Sequence, residues 1–128
     1  MSGLRRDEVE VTLVGAGRSG GHIARTLAML GFPLCIYDFD RLGPENLGRQ
    51  LYRRRDVTAA RPKVRALRSE VRAIVPQARL CVHAERFTGV RGQEFSPCIV
   101  LAVDSMRERM EPALLDAVTW THRVTLSN

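Results

Sequence analysis

Val9 to Val14 alternates and then runs apolar into Gly15-Ala16-Gly17-Arg18-Ser19-Gly20, and apolar residues at helical spacing follow. A G-x-G-x-x-G run between a predicted strand and a predicted helix leaves few folds open. The glycines allow a tight turn and let the backbone approach a phosphate, whose charge the unpaired N–H groups of the helix start attract. Ser19 is expected to cap a helix from Gly20 to about Leu30, with Ile23, Leu27 and Leu30 on one face and Gly31 as its stop.

The same alternation continues along the chain. Leu34 to Tyr37 is a second strand, and Asp38 to Asn46 is a polar loop. Pro62 opens a helix in which Val64, Leu67, Val71 and Ile74 repeat at helical spacing until Pro76. Leu80 to Val82, Ile99 to Val103 and Val124 to Leu126 are further strands; a helical stretch starts at Ser105 and restarts near Pro112. Strands alternating with helices imply an α/β fold, a doubly wound, mostly parallel sheet of about five strands with crossover helices. A length of 128 residues fits one domain.

Composition excludes several classes. No apolar run approaches the roughly 20 residues of a membrane helix, and the charged start from Met1 to Glu10 lacks the pattern of a secretory signal, so the cytoplasm is the expected compartment. The 20 basic residues exceed the 14 acidic ones by 6 but are spread along the chain. Arg61, Arg65, Arg68 and Arg72 fall on the face of their helix away from its apolar residues, a solvated face with no interleaved aromatic residue, and nucleic acid is not an expected partner. Cys35, Cys81 and Cys98 each lie in an apolar run without metal-ligand or redox-motif spacing, and are expected to be buried thiols. Of the 20 basic residues only Lys63 is lysine, which singles out that position.

Asp38 ends the second strand, 18 residues after Gly20, where a carboxylate can accept hydrogen bonds from both ribose hydroxyls of a nucleotide. Lying at a strand end facing a cleft, it is expected to serve the ligand and to matter little for folding. Beyond Asp38 the chain stops looking like a generic dehydrogenase. Asp38-Phe39-Asp40, then Asn46-Leu47-Gly48-Arg49-Gln50, then Pro62-Lys63 resembles the ThiF/MoeB family, which includes the ubiquitin-activating enzymes, in its D-x-D, N-L-x-R-Q and lysine pattern. Ile74-Val75-Pro76 and Val103-Asp104-Ser105 with Arg109 resemble later segments of that family, so the likeness runs from about Val11 to Arg109.

The resemblance implies a Rossmann-like domain that adenylates the C-terminal carboxylate of a ubiquitin-like or sulfur-carrier protein, using ATP with Mg²⁺ and releasing pyrophosphate. Within it, Gly15, Gly17 and Gly20 would cradle phosphate and Asp38 would hold the ribose. Arg49, supported by Asn46 and Gln50, would reach the β and γ phosphates. Lys63 would bring a compact charge to the α-phosphate, where a guanidinium is too wide. Asp104 would bind Mg²⁺, and Asp40 would join it or orient Arg49. The resemblance also implies a homodimer or pairing with a related subunit.

Two departures stand out. Arg18 replaces a usual glycine, leaving crowding of the nucleotide and an extra phosphate contact as alternatives. The family's domain also continues past the length of this chain, into a carrier-protein groove, zinc cysteines and a transfer cysteine. Residues 1–128 are therefore expected to be a single nucleotide-binding domain truncated at its C-terminal end. Two other classes compete. A non-catalytic pairing subunit of the same fold is favoured by the short chain and Arg18, and disfavoured by the joint presence of Asp38, Arg49, Lys63 and Asp104. An NAD-dependent oxidoreductase accounts for the glycines and Asp38 but leaves Asn46 to Gln50 and Lys63 unexplained.

Overall fold

Val11, Thr12, Leu13 and Val14 are all buried, the condition of a central strand in a sheet covered on both faces. The computed structural model describes residues 5–44, 52–88, 96 and 98–102, together with the backbone of 122–125. Around β1 (Val11–Val14) stand β2 (Leu34–Tyr37), β3 (Leu80–His83), β4 (Cys98–Leu101) and β5 (His122–Thr125). Their order is β3-β2-β1-β4-β5, and every neighbouring pair is parallel. The chain moves outward from β1 to β3 and then returns to the other side of β1, the doubly wound order. Such a reversal opens a crevice between the carboxyl ends of β1 and β4. The expected α/β fold is therefore present, with five strands.

One sheet face is formed by Leu13, Leu34 and Ile36 and packs on α1 (Arg18–Met29) and α3 (Lys63–Ile74) through Ala24, Val64, Leu67 and Val71. Val14, Cys35, Tyr37, Ile99 and Leu101 form the other face with Phe87, whose ring centroid is 5.0 Å from that of Tyr37. Thr12 is the polar exception in β1. It donates to the Ser96 hydroxyl at 3.0 Å and accepts from the Ser96 backbone N–H at 2.8 Å, while the Ser96 hydroxyl donates to the Cys98 carbonyl. The buried hydroxyl is thereby satisfied.

Several boundaries differ from the sequence-based reading, each for a local reason. The first strand begins at Val11, because Glu10 is exposed. Gly17, not Ser19, is the N-cap of α1. Its buried face consists of Gly20, Gly21, Ala24 and Ala28, with Ile23 and Leu27 only partly buried. Small residues occupy that face because the helix lies close against the sheet: a Cβ on Gly20 would run into the Gly15 carbonyl oxygen. Leu30 falls after the last helical residue and is 43% exposed. Gly31 ends the helix as expected, at φ +96, with Gly31 N–H donating to the Ala28 carbonyl and Phe32 N–H to the Leu27 carbonyl, both at 3.0 Å. Those two bonds make the left-handed glycine cap of a Schellman motif.

The five-residue α2 (Arg54–Thr58) was not anticipated, being too short to show a periodicity. Pro62 caps α3 from one residue before the helix, and Ile74 at its end is 52% exposed. Arg65 and Arg72 lie exposed as expected, while Arg61 pairs at 2.8 Å with the buried Asp56. Cys35 is buried and Cys98 half-buried, but Cys81 is exposed. It lies on β3, at the edge of the sheet and on the face away from α1 and α3. The helical stretch from Ser105, Val103 and Leu126 lie outside the described residues. Among the described residues no helix is long and apolar enough to cross a membrane.

The close approach at Gly20 gives a paired test. Gly20→Ala should lower the free energy of unfolding by about 1–3 kcal/mol or more, because a methyl group is forced against backbone that cannot yield cheaply. Gly21→Ala should be neutral or stabilising, since its Cβ would meet only the flexible end of Arg25 at 3.4 Å and Leu67 at 3.9 Å and alanine favours a helix over glycine. Urea denaturation followed by circular dichroism compares the two.

Candidate functional site

At the carboxyl end of β1 the chain turns through Gly15, whose φ of +110 suits glycine alone. Gly15 N–H still bonds to the Tyr37 carbonyl at 2.8 Å, extending the β1–β2 ladder by one residue. The next N–H, that of Ala16, leaves the ladder and donates instead to Asp38 Oδ2 at 2.8 Å. Asp38 Oδ1 accepts from the N–H of Asp40 at 2.7 Å. One carboxylate thus ties the glycine loop to the end of β2 and shapes the loop that follows. This corrects the expectation that Asp38 matters little for folding: both oxygens serve the backbone, each with a further lone pair for a ligand. Burial pushes the carboxyl above its ordinary value, against the opposing pull of those two backbone N–H groups.

The loop after Asp38 lies alongside the segment entering α3. Arg41 and Pro62 form an antiparallel bridge, Leu42 N–H donates to the Arg61 carbonyl at 2.9 Å, and Arg41 Nη1 donates to the Ala60 carbonyl at 3.0 Å. Lys63 N–H, left without an intrahelical partner at the start of α3, donates to the Asp40 carbonyl at 2.9 Å. This pairing carries the Lys63 side chain to the strand ends, where Nζ lies 3.7 Å from Asp40 Oδ2. Asp40 therefore engages Lys63. Lys63 also pulls the Asp38 carboxyl downward, a smaller effect than its burial.

Tyr52 was missed by the sequence reading. It is buried, and its hydroxyl donates to the Ala16 carbonyl, so the glycine loop is held on one side by Asp38 and on the other by Tyr52. Burial pushes the phenol well above its usual range, so it remains a donor. Its only sequence signal is a tyrosine two residues after Gln50.

The site residues named from sequence thus divide into two groups. Gly15, Gly17, Gly20, Asp38, Asp40 and Lys63 gather at the carboxyl ends of β1 and β2. Asn46, Arg49, Gln50 and Asp104 lie outside the described residues, as does Arg109. Gly17 caps α1 with no side-chain hydrogen bond, and Arg18 is exposed at the first helical position. A helix start without a side-chain cap, beside a glycine turn, is chemically suited to an anion. The arrangement joins it to a half-buried carboxylate and a lysine at the carboxyl ends of β1 and β2.

No match was found among curated proteins. Among solved structures, the chain is similar to E. coli tRNA N6-threonylcarbamoyladenosine dehydratase, TcdA, at 24% identity and TM-score 0.75, covering 94% of this chain and 52% of that one. TcdA has also been solved in complex with AMP and with ATP. E. coli MccB, solved with MccA, is similar at 18% identity and TM-score 0.77, covering 96% of this chain and 38% of that one. PaaA is similar at 28% identity and TM-score 0.66, covering 76% of this chain and 32% of that one. The chain spans about half the length of TcdA. The sequence model of the ThiF family matches residues 4–122, and the chain accordingly belongs to the ThiF family.

Proposed function

We propose that residues 1–128 form one nucleotide-binding unit of an ATP-dependent adenylyltransferase acting in the cytoplasm on the C-terminal carboxylate of a ubiquitin-like or sulfur-carrier protein. The observation that carries this reading is the joining of Asp38, the glycine loop and Lys63 at one end of the sheet. An NAD-binding site needs the first two and has no use for the third. Membership of the family supports it, as do the AMP and ATP complexes of TcdA and the pairing of MccB with MccA. A second copy of the chain, or a related subunit, is the expected pairing partner.

In this reading a carboxylate oxygen of the carrier attacks the α-phosphorus, the bond to the β-phosphate oxygen breaks, and pyrophosphate leaves with the electron pair. Such a transfer depends on positioning and on neutralising charge as it moves. Asp38 accepts the ribose hydroxyls on its remaining lone pairs. The N–H groups around Gly17 face the phosphates, and Lys63 supplies positive charge to the α-phosphate while Asp40 holds its ammonium in place. Arg49, with Asn46 and Gln50, is assigned the β and γ phosphates on the motif alone. Asp104 is assigned the Mg²⁺ that would accompany the triphosphate on the same basis, and that ion would offset the phosphate charge.

Calorimetry with ATP–Mg²⁺ and with NAD⁺ tests the nucleotide. ATP should bind more tightly; tighter NAD⁺ binding with ATP at the level of buffer would overturn the adenylation reading.

Asp38→Ala should lose nucleotide binding and stability together. Leaving the Ala16 and Asp40 N–H groups without their partner should cost roughly 1–3 kcal/mol of folding free energy, measured by urea denaturation. The pH dependence has a definite sign. The folded-state pKa lies above the ordinary 3.8, so ionisation of Asp38 opposes folding: its contribution is fully present below the unfolded value and is lost as pH rises through the folded one. Ribose recognition needs the ionised form. Adenosine affinity of the parent should therefore drop as pH is lowered, with a midpoint above 3.8, toward the weak affinity that Asp38→Ala shows already at neutral pH.

Lys63→Arg separates geometry from charge, in a chain whose other 19 basic residues are arginine. ATP affinity should be nearly unchanged, while carrier-dependent exchange of labelled pyrophosphate into ATP should drop about tenfold or more, equal to roughly 1.4 kcal/mol of barrier. An interaction needed only in the transition state has that signature. Full exchange activity in the variant would reduce Lys63 to a charge.

A further inference from the structure

On the sheet face away from α1 and α3, three groups that are distant in sequence meet. Cys35 of β2 and Cys81 of β3 occupy paired positions on adjacent parallel strands, so their side chains share a face. His83 is two residues beyond Cys81 and shares it too. Its ring stacks on Tyr37, its partner across the ladder, with centroids 4.5 Å apart and planes 15° from parallel. The stack presents Nε2 to Cys81 Sγ at 3.2 Å, and the two sulfurs and the ring nitrogen all lie within 4.8 Å of one another.

We propose that Cys35, Cys81 and His83 form a binding site for a soft divalent cation of the zinc type, separate from the nucleotide crevice. Around a tetrahedral zinc, with bonds of about 2.0–2.3 Å, neighbouring ligand atoms stand roughly 3.3–3.8 Å apart. No separation here exceeds 4.8 Å, so a closure of at most about 1 Å reaches that spacing, within the reach of small side-chain rotations. Two sulfurs and an imidazole select zinc over magnesium or calcium, which take oxygen ligands. On binding, the two thiols release their protons to solvent, and the neutral imidazole offers the lone pair of Nε2. A water completes the fourth position from the exposed side, where Cys81 opens the site at the sheet edge. The ring of Tyr37 fixes the plane of the imidazole, as an orienting partner does at many histidine sites.

Titration of the reduced 128-residue chain with Co²⁺ should produce a near-ultraviolet thiolate-to-cobalt charge-transfer band and the strong visible bands of a four-coordinate ion, both abolished by one equivalent of Zn²⁺. Because Cys35 is buried, the diagnostic variants are Cys81→Ser and His83→Gln, with folding checked by circular dichroism. Cys81→Ser should lose about half of the charge-transfer intensity, one thiolate of two, and each variant should weaken zinc binding by more than the roughly tenfold that loss of an outer-shell partner costs. Cys98→Ser, on the helix-covered face, should bind as the parent does. Absence of the charge-transfer band from the reduced protein overturns the proposal. So does a band that persists undiminished in Cys81→Ser, or zinc affinity unchanged in both variants.

Discussion

The carboxylate of Asp38 is the point on which the site depends. With one oxygen it accepts the Ala16 N–H of the glycine loop, and with the other the Asp40 N–H of the loop after β2. Without it, two loops that begin on neighbouring strands would have no common anchor. The burial that makes those hydrogen bonds effective also penalises the charge, and the raised pKa is the result. A carboxylate whose ionisation works against the fold, held at the ends of β1 and β2, is consistent with the ligand role proposed for it.

A second link builds outward from it. The Asp38–Leu42 loop runs against residues 60–63, and the Asp40 carbonyl takes the first orphan N–H of α3. Acceptance of the Lys63 N–H by a backbone carbonyl, in place of a side-chain cap, sets the helix start and the lysine together, because Lys63 is the first helical residue. The position of the ammonium is thus a consequence of how the helix begins. Tyr52 closes the arrangement from the other side by binding the Ala16 carbonyl, so that the donor and the acceptor of that one peptide neighbourhood are both held by side chains.

The two faces of the sheet have different character. Toward α1 and α3 the contacts are mainly aliphatic, and the small residues Gly20, Ala24 and Ala28 let α1 sit close. The opposite face sets Tyr37, Phe87, Cys35 and the ring of His83 around β2, beside the aliphatic Val14, Ile99 and Leu101. Strand alternation separates them: Leu34 and Ile36 point one way, Cys35 and Tyr37 the other.

From sequence alone, the strand–glycine loop–helix unit, the helix stop at Gly31, the apolar face of α3 and the α/β class were all legible. Each rests on a local rule: hydrophobic periodicity, the conformational freedom of glycine, or the alternation of element types. The ordered residues from Asp38 to Lys63 also carried the family resemblance. What sequence could not supply was every relation set by strand register or by loop pairing. Asp38 as an anchor of Ala16, Tyr52 on the same residue, Lys63 beside Asp40, and Cys35 facing Cys81 and His83 all join residues whose separation along the chain says nothing of their distance. The same holds for the exposure of Cys81, Leu30 and Ile74, which local hydrophobicity placed inside. Burial is decided by which element lies opposite, and only the assembled sheet, with β3 at its edge and α1 pressed against Gly15, makes that choice.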